Sequence, residues 1–372
     1  MANDGEEKKS SSSMEEIVWS VLNGGEDVKI SAAKEIRRIT KTSAKNRARL
    51  AAAGIIIPLV SMLQSANMDA KEAAVLALLN LAVKNERNKI TIVKAGVIEP
   101  LVDLLKSENN NLKEFAVAAT LTLSASNINK PIIGQSGATP LLVEMLTSGS
   151  HQGKVDAVMA LYNLSTYSDN LTTILAVGPV PPLIALLKEC KKCSKVAEKI
   201  SALLESLSAF EEARTGIAKE EGGILALVEV IEDGSLQSRE HAVGALLTMC
   251  QSSRCKYREA ILKEGVIPGL LELTIYGTPK AQERARTLLP FLRESPSWTQ
   301  NGSASVVLEN IVYDIAIHVD GVEKGTETAK KMLADMVQVS VEQSMRHLPQ
   351  TALVCIPSDF SRSHNLSKVS QI

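Results

Sequence analysis

Two ladders of polar side chains run through this chain, and both are of types that bind rather than transform. The first is Asn80, Thr122, Asn163, Ser206 and Thr248. A carboxamide donates and accepts hydrogen bonds at once, and a hydroxyl does either. Spaced along one surface, such groups suit a sequence-independent grip on a backbone. A local reading competes with it: small polar residues near a helix end bond back to carbonyls of the preceding turn. The second ladder is Glu72, Glu114, Glu198, Glu240 and Glu283, interrupted by Val155. Carboxylates in the first turn of their helices complement the helix dipole. As a set they also make an acidic rim that favours a basic partner segment. Other chemistry is sparse. Cys190-Lys191-Lys192-Cys193 has the spacing of half a zinc site, but a structural zinc needs four ligands, and Cys250 and Cys255 are distant and poorly spaced. The histidines are dispersed, no nucleophile–base pair stands out, and no Gly-rich phosphate cradle is present. The expectation is a non-enzyme with no cofactor, no metal and no small-molecule substrate.

A recurring turn spaces the ladders. Gly54, Gly96, Gly137, Gly178, Gly222 and Gly265 lie 42, 41, 41, 44 and 43 residues apart. The first ladder falls 26 residues after each glycine and the second 18, once two extra residues near Cys190 to Ser194 are counted. This period in a helix-rich pattern predicts a solenoid of stacked helical units. A solenoid has no central pocket; its asset is a long surface suited to holding another macromolecule. Each glycine is expected to close one helix in the left-handed conformation. Pro58, Pro100, Pro140, Pro182 and Pro268 follow, expected at the first position of a short apolar helix. A polar loop and a longer helix come next. In the longer helix Ala74, Ala77 and Leu81 trace one face, repeated by Ala116, Ala119 and Leu123, and by Ala157, Ala160 and Leu164. A third, short helix precedes each glycine, as over 45–53 and 86–95.

Composition narrows the partners. Apolar residues make up 45% but aromatics only 3%, which suits close helix-on-helix packing. Lysine plus arginine (41) nearly balance aspartate plus glutamate (42), without the basic excess of a phosphate-tracking domain, so nucleic acid is not expected. No apolar run reaches the roughly 18 residues of a membrane span. Neither a myristoylation glycine after Met1 nor a prenylatable C-terminal cysteine is present, so no membrane partner is expected. A polar N-terminus and an odd number of scattered cysteines point to a reducing, cytoplasmic or nuclear setting.

The organisation read from these signals has six parts. Residues 1–13 form a disordered tail. Residues 14–42 form an incomplete capping repeat with helices near 14–22 and 28–41. The repeat array spans 43–294, and a linker spans 295–304. Over 305–348 a C-terminal helical cap is expected, with Val307, Ile311 and Ile315 on one face and Ala329, Met332, Met336 and Val339 on another. Residues 349–372 form a disordered tail.

Three helices in about 42 residues match the armadillo unit. The phrase Asn88-Lys89-Ile90 through Gly96-Val97-Ile98-Glu99-Pro100-Leu101-Val102 resembles the armadillo domain of plant U-box ubiquitin ligases, as do Asn80-Leu81-Ala82 and Asn163-Leu164-Ser165. The resemblance recurs in register over about residues 14–294. It implies an all-α, right-handed superhelical solenoid of about seven armadillo repeats whose longest helices line the concave face. It also implies that Asn80 and Asn163 stand where relatives hold the backbone of an extended peptide. Nuclear-import armadillo proteins carry tryptophan one turn earlier; Leu76, Ala118, Met159, Ala202 and Gly244 stand there instead, so an import receptor is not expected. Only 13 polar residues precede the first helix, so the U-box, and with it intrinsic ligase activity, is expected to be missing. The expectation is a non-catalytic scaffold or adaptor that binds a protein partner, an extended segment, along both ladders, with a link to ubiquitin signalling. The alternative is a ligase-related protein whose catalytic module is missing or diverged.

Overall fold

The computed structural model describes residues 14–293. The expected tails, linker and C-terminal cap lie outside the described residues. What is described is helical throughout, arranged as an incomplete unit followed by six three-helix units. The incomplete unit holds α1 (residues 14–23) and α2 (Glu26–Thr40). The complete units are α3 (Ala44–Ala52), α4 (Ile56–Met62) and α5 (Met68–Ala82); α6 (Glu86–Lys94), α7 (Ile98–Leu105) and α8 (Asn110–Ser124); α9 (Lys130–Gly134), α10 (Ala138–Ser148) and α11 (His151–Ser165). Then come α12 (Asn170–Ala176), α13 (Val180–Glu189) and α14 (Lys195–Leu207); α15 (Glu211–Lys219), α16 (Gly223–Asp233) and α17 (Leu236–Ser252); α18 (Arg254–Lys263), α19 (Ile267–Tyr276) and α20 (Pro279–Leu292). This is an armadillo solenoid of about seven repeats.

The turn chemistry explains why helices start and stop where they do. Each of the six periodic glycines has φ between +68° and +86°, a region where a Cβ is strained. The long third helix of every complete unit opens on a side-chain cap: Asn67, Asn109, Ser150, Ser194, Ser235 and Thr278 each accept a backbone N–H of the first turn. The prolines sit deeper than the first helical position. Pro58, Pro100, Pro140 and Pro182 are third residues of their helices, and Pro268 is the second of α19. The whole first turn lacks intrahelical acceptors for its N–H groups, so a proline there removes no hydrogen bond.

The third helices carry the stack. α2, α5, α8, α11, α14, α17 and α20 pack in series, each against the next. Their shared face is the periodic one: Ala74, Ala77, Leu81, Ala116, Ala119, Leu123, Ala157, Ala160 and Leu164 are all at most 4% exposed. Alanine at two of every three positions brings neighbouring backbones close. No single described helix is long and apolar enough to cross a membrane.

A second set of polar residues ties each unit to the one before. Asn88 donates from Nδ2 to Leu81 O (2.9 Å) and Arg47 O (3.1 Å). Asn129 does the same to Leu123 O (3.1 Å) and Lys89 O (3.2 Å), and Asn170 to Leu164 O (3.1 Å) and Lys130 O (3.0 Å). Arg47 (to Thr40 O, 2.8 Å) and Arg214 (to Ser208 O, 2.8 Å) supply the donor at the matching junctions. Each amide therefore satisfies a C-terminal carbonyl of a third helix and a carbonyl of the previous unit's first helix.

Two stability outcomes follow from this packing. Gly137→Ala lowers stability by about 1 kcal/mol in urea titration, through the left-handed φ alone. Nothing lies within 4 Å of the added methyl. Ala116→Leu or Ala157→Leu overpacks a fully buried layer, costs about 1–3 kcal/mol, and splits the calorimetric melt, since each unit leans on its neighbours. Glu72→Gln, on an exposed residue, leaves the melt unchanged; a silent alanine change beside a destabilising Glu72→Gln would refute the assignment of faces.

Candidate functional site

The third helices pack in series, and both sequence ladders lie along them. The first ladder is half-buried at all five positions: Asn80, Thr122, Asn163, Ser206 and Thr248. Its two asparagines donate to the preceding unit. Asn80 Nδ2 reaches Arg37 O at 2.8 Å, and Asn163 Nδ2 reaches Leu121 O and Ser124 Oγ, each at 3.3 Å. The three hydroxyls bond back one turn, Thr122 to Ala118 O (2.9 Å), Ser206 to Ala202 O (3.0 Å) and Thr248 to Gly244 O (2.9 Å). Each of these groups thus has a structural bond while keeping an oxygen at a half-exposed surface.

Of the glutamate ladder only Glu198 lies in the first turn of its own helix, as expected; the other four lie one residue deeper. Glu72, Glu114, Glu240 and Glu283 are fifth residues, and Glu198 is the fourth. The helix dipole falls off within the first turn, so it accounts for Glu198 but not for Glu72, Glu114, Glu240 and Glu283. Two of them reach the N-terminus of the next unit's third helix. Glu114 accepts from Ser150 N (3.3 Å), the cap of α11, and Glu240 accepts from Thr278 Oγ1 (2.6 Å), the cap of α20. Glu240 also lies 3.6 Å from Lys280 Nζ. Glu198 is buried between Lys195 (2.8 Å) and Lys199 (3.2 Å). Burial opposes its charge, but the two ammonium groups outweigh it and hold its carboxyl below the ordinary value. Glu72 and Glu283 are exposed. Where Val155 breaks the ladder, neighbouring Asp156 has its pKa raised, by burial first and by Glu114 as well, against a hydrogen bond from Gln152.

The face changes character along the array. Toward its N-terminal end it is apolar, with half-buried Leu79, Phe115, Leu121 and Met159 on α5, α8 and α11. At the centre Lys199 Nζ stands 4.0 Å above the ring of Tyr162. Across α14, α17 and α20 it becomes ionic. Glu205 Oε2 meets His241 Nδ1 at 2.6 Å, and its Oε1 accepts from Arg284 Nη2. Arg284 also donates from Nη1 to Glu240 O (2.7 Å). Burial raises the Glu205 pKa, but His241 and Arg284 overcome it and leave the carboxyl below its usual range. His241 and Arg284 share one register position, 19 residues after Gly222 and Gly265, but Glu205 stands at another, and the three meet only after stacking. Asn88, Asn129 and Asn170 recur 41 residues apart near the start of three first helices, but nothing in the spacing assigned them a role.

The cysteines are apart from this face in character. Cys250 is buried and its thiol is pushed up to about 11, mainly by burial. Cys190 is half-buried and also raised, by burial first. Among the described residues no group of three or more His, Cys, Asp or Glu side chains could hold a metal ion.

Comparison with known proteins agrees with this geometry. The model of the plant U-box protein ARM repeat region matches residues 35–309, well over half of the chain. The chain is 34% identical to U-box domain-containing protein 45 of Arabidopsis thaliana over 98 residues, 26% of this chain and 12% of that protein. It is 36% identical to U-box domain-containing protein 14 of the same plant over 94 residues, 25% of this chain and 15% of that protein. The matched stretch is thus a small part of these relatives. Among solved structures, one from work on a phosphorylation switch in the cadherin and beta-catenin interaction has TM-score 0.67 at 19% identity, covering 86% of this chain and 64% of that one. The crystal structure of an engineered protein has TM-score 0.65 at 21% identity, covering 91% of this chain and 85% of that one. At such identities these two likenesses speak for the fold alone. With a family model in register across the array and the same units in the fold, the chain belongs to the plant U-box protein ARM repeat family.

Proposed function

We propose that this chain is a non-catalytic scaffold or adaptor that holds an extended segment of a partner protein along the face of its third helices. The observation that carries this reading is the continuous half-exposed strip from Asn80 to Thr248. It offers an apolar floor at one end and hydrogen-bonding groups at every unit. Asn80 uses one N–H on Arg37 O. Its oxygen and second N–H have no bonded partner among the described residues, which suits a ligand backbone that both donates and accepts. Membership of the plant U-box ARM family supports a setting in ubiquitin-linked signalling, in the cytoplasm or nucleus, with this chain presenting a client to a separate ligase.

Two measurements check the proposal. Purified chain given activating enzyme, conjugating enzyme and ubiquitin builds no ubiquitin chains; enzyme-like chain formation would overturn the non-catalytic reading. In isothermal titration with a peptide selected from a displayed library, Asn80→Ala with Asn163→Ala weakens binding by about 0.5–1.5 kcal/mol per lost bond. The same double change lowers the melting temperature modestly, since each amide also ties its unit to the one before. A lower melting temperature with unaltered affinity would assign the asparagines to structure alone.

A further inference from the structure

In a solenoid each unit touches only its neighbours, and one side chain here breaks that rule. Arg284 of α20 passes over α17 to reach Glu205 of α14, 79 residues earlier. The passage exists because of Gly244. At the matching place the other third helices carry Leu76, Ala118, Met159, Ala202 and Thr287. A Cβ on residue 244 would stand 2.6 Å from both Arg284 Nη1 and Glu205 Oε1. Gly244 lies in the middle of α17, where a glycine weakens a helix and no turn requires one. The gap is therefore accounted for by what occupies it.

The occupant is a planar guanidinium held on two sides. Glu205 Oε1 receives Nη2, and the Glu240 carbonyl receives Nη1 at 2.7 Å. His241 Nδ1, 2.6 Å from Glu205 Oε2, fixes the far side of the carboxylate. Such a pair of acceptors matches the rigid fork of arginine and not the point charge of lysine. The site lies at the margin of solvent. The Arg284 and Glu205 side chains are 16% and 20% exposed, so one guanidinium can replace another without opening the core.

We infer that Glu205, the Glu240 carbonyl, His241 and Gly244 form a guanidinium-binding subsite of the concave face. Arg284 closes it in the free chain, and an arginine of the bound segment displaces Arg284. The inference rests on the proposed binding of an extended segment along this face. It adds that the segment presents an arginine to α14 and α17, and that the last three units are held together until it does.

The test empties the subsite in the full-length chain. Arg284→Ala is titrated with guanidinium ion at non-denaturing concentration, with sodium as control, and followed by calorimetry and melting temperature. Saturable, guanidinium-specific binding that raises the melting temperature is expected, and Glu205→Gln added to Arg284→Ala removes it. Arg284→Met, which keeps the packing of the stem, is assayed in the same way in case the alanine variant is poorly folded. A library-selected peptide carrying one arginine binds Arg284→Ala about tenfold tighter than its citrulline twin, as one charge-assisted bond implies. No saturable guanidinium binding in either variant, or equal binding of the arginine and citrulline peptides, overturns the subsite. If the arginine preference holds while Asn80→Ala with Asn163→Ala leaves the peptide affinity unaltered, the subsite stands and the asparagine grip falls.

Discussion

The stack depends on how the C-terminal carbonyls of each third helix are satisfied. The last four carbonyls of a helix have no partner within it. At these junctions they are packed under the next unit, where an unpaired acceptor costs about 1–3 kcal/mol. The first helix of the following unit supplies the donor: Arg47, Asn88, Asn129, Asn170 and Arg214 at five successive junctions. Because the three asparagines also bond the previous unit's first helix, the same interaction sets the angle within a unit and the offset between units. The left-handed glycines then turn the chain into the second helix, and the alanine faces bring successive third helices together.

This arrangement explains how the polar ladders hold the stack together and still suit the proposed binding. Side chains spaced by one unit necessarily lie beside the equivalent residues of the neighbouring units. Asn80 and Asn163 therefore find carbonyls of the preceding third helix, and Glu114 and Glu240 find the capped N-terminus of the following one. A polar surface that would otherwise need water is pre-organised by the stack itself. Groups already ordered this way lose little further freedom when a ligand binds, which favours affinity.

The ionic end of the face is a different kind of structure. In a one-dimensional array, units couple only to neighbours, and local opening stays local. The contact from Arg284 over Gly244 to Glu205 couples units that do not adjoin. Among the described residues the apolar end, with Leu79 and Phe115, shows no such tie. The two halves of the face therefore differ in chemistry and in how freely successive units can move against one another.

Much of the architecture was legible in the residues themselves. A glycine every forty-odd residues needs a positive φ, and all six have it. The alanine and leucine triplets needed no tertiary knowledge, since steps of three and four define a helical face wherever the helix is placed. Caps such as Ser150 and Thr278 are local too. What only the tertiary structure decided is where a polar side chain ends. Helical dipole reasoning placed the glutamates on their own helices, whereas stacking carries Glu114 and Glu240 to the next one. Spacing aligns His241 with Arg284 one repeat apart, but it does not bring in Glu205, which lies 36 and 79 residues before them and meets Arg284 through a gap left by a glycine. Periodicity determines which face of each helix is buried. Contacts between units depend in addition on how far neighbouring backbones approach, a distance that exists only once the units are stacked.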